Sequence, residues 1–175
     1  ALYSTSTGFG NVAVGLRALD SYTGNNNVAI GYEAAKDTTT GNTTVAVGFK
    51  ALNKLTTGAA NVGIGYAALT SNTTASNNTA VGYQSLYSNT TGTQIVAVGK
   101  LALYSNTTAN SSTAVGHNAL TSNTTGAENT AVGEGALESN TTGATNTAMG
   151  REALNANTTA FNNTAVGYRA AYNNS

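Results

Sequence analysis

A glycine preceded by an aliphatic residue or methionine returns along the whole chain. It falls at Gly15, Gly31, Gly48, Gly65, Gly82, Gly99, Gly116, Gly133, Gly150 and Gly167, spaced by 16 residues once and then by 17 eight times. A short, unbroken period means that each unit cannot bury an apolar side alone and must stack on its neighbours. A helix pair needs ~34 residues and a leucine-rich repeat ~20–29, so this unit is short for both.

The unit reads N-[TV]-A-V-G-x-x-A-L-x-S-N-T-T-[GA]-x-x. The [TV]-A-V triplet alternates β-branched and small residues, which is a strand signal. The glycine and the N-T-T-G stretch are turn chemistry. One unit therefore reads as one coil of an all-β parallel β-solenoid, with about ten coils across residues 1–175 and no second domain. The chain starts at Ala1 and stops at Ser175, both inside a repeat, and is expected to be a segment of something longer. Segments such as Tyr32–Lys36 also pass for a helical turn, although five residues cannot sustain a helix alone.

Charge placement suggests which rows lie inside. The 7 basic and 7 acidic residues fall one, two, five, six or twelve positions after the anchor glycine. None enters the N-[TV]-A-V-G run or the A-L pair. Burying an unpaired charge costs several kcal/mol. On that basis the residue before each anchor forms a core ladder: Val14, Ile30, Val47, Ile64, Val81, Val98, Val115, Val132, Met149 and Val166. The β-branched residue two places earlier and the Leu four after the anchor join it. The alanine between is then expected outside, where a row of small residues would let another chain approach closely.

Composition narrows the function. Charged residues are 8% of the chain, against a typical ~25%. There is one histidine (His117), no Cys and no Trp. Neither a metal set nor an acid–base or nucleophile–base pair can be assembled, so no metal, no cofactor and no enzyme is expected. His117 shares its row with Lys100, Glu134 and Arg151 and reads as an exposed, variable residue. The formal net charge of +0 argues against nucleic acid. No apolar run approaches ~18 residues, so no membrane insertion is expected in this segment.

Three sets of rows are candidate contact sites. Tyr32, Tyr66, Tyr83 and Tyr168, with Phe49, lie one after the anchor; Tyr87, Tyr104 and Tyr172 lie five after. They pack over the coil corner or grip a glycan or receptor by stacking. Asn72, Asn89, Asn106, Asn123, Asn140 and Asn157 form one row, each followed by Thr-Thr. They are either N-glycan acceptors or an amide ladder running from coil to coil. Asn42, Asn77, Asn110, Asn162 and Asn173 match the acceptor pattern as well. Ser and Thr six and eight after the anchor, Ser71 with Thr73 through Ser139 with Thr141, would make the hydroxyl array of an ice-binding solenoid if that stretch were flat.

The run Asn26-Asn27-Val28-Ala29-Ile30-Gly31 resembles the N-x-V-A-I-G motif of the head repeats of YadA-like trimeric autotransporter adhesins. The longer phrase from Asn78 to Gly92 is similar to 17-residue repeats of phage tail fibres and bacterial surface proteins. The resemblance covers essentially the whole chain. The adhesin repeat is shorter and usually carries Ser where this chain has Ala, Ser85 excepted. The resemblance implies a left-handed β-roll, self-association as a homotrimer or fibre, and a place outside the cell or on a virion surface. The expected function is a structural fibre shaft or head, with an adhesin head or an ice-binding solenoid as alternatives.

Overall fold

The computed structural model describes residues 7–20 and 22–174. Ten three-residue strands run β1 (Val12–Val14), β2 (Val28–Ile30), β3 (Val45–Val47), β4 (Val62–Ile64), β5 (Thr79–Val81), β6 (Val96–Val98), β7 (Thr113–Val115), β8 (Thr130–Val132), β9 (Thr147–Met149) and β10 (Thr164–Val166). They form one parallel sheet in sequence order. The register places like on like: Val81 pairs with Val98, and Val98 with Val115. The chain is thus an all-β parallel solenoid with one repeat per coil.

The corners explain why glycine recurs. Each anchor from Gly15 to Gly167 has φ between 122° and 140°, a conformation closed to L side chains. A Cβ on Gly82 would also lie 2.5 Å from the Gly99 carbonyl oxygen one coil on. Beyond the corner the chain does not enter a helix. Glu33 and Ala35 have φ of 53° and 48°, and the equivalent residues of the other coils repeat this left-handed pair. The helical-looking A-L segments are turns, because alternate left-handed residues cannot propagate an α-helix. Their backbone bonds run between coils instead, as in Leu69 N–H to the Ser85 carbonyl at 3.1 Å and Leu86 N–H to the Ala102 carbonyl at 2.9 Å.

The core reverses the expected faces of the strand. The central alanines, Ala29 through Ala148, are fully buried, with glycine replacing alanine at Gly63. They pack with the leucines four after the anchor, Leu19, Leu52, Leu69, Leu86, Leu103, Leu120, Leu137 and Leu154. The proposed core ladder Val14, Ile30, Val47, Ile64, Val81, Val98, Val115, Val132, Met149 and Val166 points outward. Val47, Val81, Val98 and Val132 are partly exposed and the other six are exposed. The reason is the thickness of the coil. A Cβ on Gly63 would sit 3.0 Å from Leu52 Cγ, so a methyl group already fills the gap and valine would not fit opposite leucine. The exchange of Val for Thr at the first strand position is the signal in the sequence. Thr79, Thr113, Thr130, Thr147 and Thr164 replace valine there, and a dry core would leave their hydroxyls without partners.

Candidate functional site

Two rows of asparagine run inside the rod. The first lies seven after the anchor. Asn72, Asn89, Asn106, Asn123, Asn140 and Asn157 are fully buried, so this row is closed to glycosylation. From Asn89 onward the amides form a continuous ladder. Asn106 Nδ2 donates to Asn89 Oδ1 at 3.0 Å, Asn123 to Asn106 at 3.1 Å, Asn140 to Asn123 at 2.8 Å and Asn157 to Asn140 at 2.9 Å. The second amide proton stays in its own coil, as in Asn123 Nδ2 to the Gly126 carbonyl at 3.0 Å and Asn140 Nδ2 to the Gly143 carbonyl at 2.9 Å. Both donors of Asn106, Asn123, Asn140 and Asn157 are therefore used.

The second row, four before the anchor, was not singled out from the sequence. Asn27, Asn61, Asn78, Asn129 and Asn146 are buried there. Each Nδ2 crosses to a carbonyl of the next coil: Asn78 to Gly92 at 2.8 Å, Asn129 to Gly143 at 2.7 Å and Asn146 to Ala160 at 2.8 Å. Each Oδ1 accepts the backbone N–H one coil on, as Asn61 does from Asn78 at 3.1 Å and Asn129 from Asn146 at 2.9 Å. Gly92 and Gly143 therefore each accept one amide from either row. The repeated N before [TV]-A-V-G was the available signal. In a charge-free core, an amide that recurs at one offset supplies the turn carbonyls with donors.

The N-terminal coils fill the first row differently, with Tyr22, Thr38 and Leu55. The buried Tyr22 hydroxyl donates to the Gly41 carbonyl and also meets Asn27 Nδ2. Burial pushes the Tyr22 phenol up to about 12, partly offset by the Asn27 hydrogen bond. Threonines eight after the anchor form a third ladder. Thr56 Oγ1 donates to the Thr73 carbonyl at 2.9 Å, and Thr90, Thr107, Thr124 and Thr141 repeat the bond at 3.0–3.1 Å. These bonds commit the threonine hydroxyls of the expected Ser/Thr array.

The aromatic row lies outside. Tyr32, Phe49, Tyr66 and Tyr83 stack with ring centroids 5.1–5.3 Å apart and planes within 12°. Tyr87 and Tyr104 stack at 5.3 Å. Rings this close cover one another's inner faces, so a sugar meets ring edges along most of the row. Tyr168 instead lies beside Arg151 and Arg169, with guanidinium carbons 5.9 and 5.5 Å from its centroid. His117 is exposed and lines a shallow pocket of about 220 Å³ with Asn118, Glu134, Gly135, Glu138 and Glu152. Its carboxylates are engaged: Glu138 accepts from Asn118 at 3.2 Å and Asn155 at 2.9 Å, and Glu152 pairs with Arg169 at 2.5 Å. Among the described residues no three His, Cys, Asp or Glu side chains group as a metal site. Among the described residues no helix is long and apolar enough to cross a membrane.

Comparison with protein-family models, curated proteins and solved structures finds no match for this chain.

Proposed function

We propose that the chain is a non-catalytic structural repeat region of an extracellular fibre, serving as its shaft or head. The observation that carries this reading is the continuity of the hydrogen-bond rows along one axis. Backbone, threonine and asparagine bonds all join coil to coil, and the sheet keeps one register from β1 to β10. At ~4.8 Å per coil, ten coils extend roughly 50 Å. Such an arrangement supplies length and stiffness. The extracellular setting rests on the resemblance to adhesin and tail-fibre repeats.

The outward aliphatic face supports self-association. Ile30, Ile64, Val96 and Val115 stay exposed on a charge-free sheet face, beside the aromatic row. An exposed apolar strip of this length marks a contact surface. The contact row is therefore the valine and isoleucine row, since the alanines are enclosed. Sedimentation velocity over a range of concentrations tests the reading, with rods measured by negative-stain microscopy. The chain is expected to associate laterally, and I64K/V98K is expected to remain a rod while losing that association. A chain that stays monomeric at high concentration, or a variant that associates as before, refutes the assignment of this face.

A further inference from the structure

The row nine after the anchor is threonine in every coil from Gly31 to Gly150, at Thr40, Thr57 and Thr74 and every 17 residues to Thr159, while the shorter first coil has Gly24 there. All eight threonines are exposed. Their hydroxyls form no hydrogen bond to another described residue, whereas those of the threonines just before them are committed from coil to coil. The fold gives no reason for this uniformity. The other outward β-branched row, at the start of the strand, exchanges Val and Thr freely, as in Val62, Thr79, Val96 and Thr113. The row six after the anchor, partly or fully exposed, takes Ser, Asp, Lys, Ala or Asn. The row nine after takes none of these in eight coils. A position that refuses Val needs the hydroxyl, and one that also refuses Ser needs the methyl.

The surroundings narrow the partner. The rows eight, ten and eleven after the anchor carry no charge. The pitch is fixed by backbone bonds such as Thr90 N–H to the Thr107 carbonyl and Thr107 N–H to the Thr124 carbonyl, both 3.0 Å. Seven steps of ~4.8 Å give a row of about 34 Å. A flexible partner gains nothing from a strict pitch, and a protein partner is usually held by aromatic or arginine anchors. An uncharged row that carries one methyl and one hydroxyl at each coil suits a partner that is itself periodic.

We propose that the Thr40–Thr159 row binds crystalline water: its hydroxyls join the lattice of an ice surface and its methyls fill the spaces between lattice oxygens. The inference does not depend on the fibre reading. Thermal hysteresis and inhibition of ice recrystallisation test it on the whole chain. The wild type is expected to hold ice growth within a measurable gap. T91K/T108K is expected to reduce that gap several-fold with an unchanged melting temperature, and T91S/T108S to lose part of it. Three results would overturn the proposal: no hysteresis above a control protein of equal mass, full activity in T91K/T108K, or saccharide mass on this row in protein from its natural source.

Discussion

The coils up to Leu55 and those from Asn72 onward share one backbone but fill the same interior slot by different means. In the later coils the slot holds an amide that bonds to its neighbours or to its own turn. In the earlier ones it holds a phenol, a hydroxyl and an isobutyl group in turn. Tyr22 reaches the Gly41 carbonyl much as the asparagines reach theirs, whereas Leu55 only fills space. Thr38 does neither fully, because its buried Oγ1 has no partner. The slot thus demands volume everywhere and polarity only where a neighbouring group needs it. An amide row is cooperative: each member is satisfied because the next one is present.

The largest expected effect serves as a control on that contrast. G48A and G116A, one in each region, should each destabilise by about 4 kcal/mol, since a side chain there meets backbone at a φ near 135°. Equal losses in chemical denaturation would show that the two regions share their corners; unequal losses would break the premise. N123D comes next. A buried carboxylate at neutral pH cannot donate to Asn106 Oδ1 or the Gly126 carbonyl, so a loss of about 3 kcal/mol is expected, partly regained on acidification. N123L should cost about 2 kcal/mol by leaving Asn106 Oδ1 and one Asn140 Nδ2 proton without a partner. Replacing all of Asn89 to Asn157 in the row by Leu should cost less per residue than the single change, and strict additivity would sink the cooperative reading.

Two smaller effects test the earlier coils. T38V removes a hydroxyl without a partner and should raise stability by about 1 kcal/mol, read as a higher melting temperature. Tyr22 sharpens the comparison through pH. Its phenol loses its proton near 10 when unfolded and about 12 when folded. Between these values the unfolded chain has released a proton that the folded chain keeps, so stability falls as pH rises. Y22F should flatten that slope, while a substitution in the later coils should leave it unchanged.

The sequence shows the strand triplets, the corners and the order of stacking because these recur at one period. It does not display which side of the triplet faces in. Absence of charge marks a row as apolar or small, and an outward valine row meets that test as well as a buried one. The opposite face was legible in the strictness of Ala29, Ala46 and Ala80 beside the Val/Thr exchange of their neighbours. Size constrained one row, and chemistry was free to vary in the other. The row from Asn72 to Asn157 reads from sequence as either glycan acceptors or an amide ladder, and what decides between them is that two donors and one acceptor match the turn groups left inside a narrow coil.

The anchor glycines keep every coil on the same trace, and each coil bonds only to the one before and the one after. Gain or loss of one whole unit therefore leaves all remaining contacts as they were. Length becomes a quantity that recombination between repeats can change in increments of one rung, about 4.8 Å at a time, without redesign of any part. An insertion out of phase with the unit has no such freedom. The coil between Gly15 and Gly31, one residue short, has Tyr22 in its interior slot where later coils have asparagine.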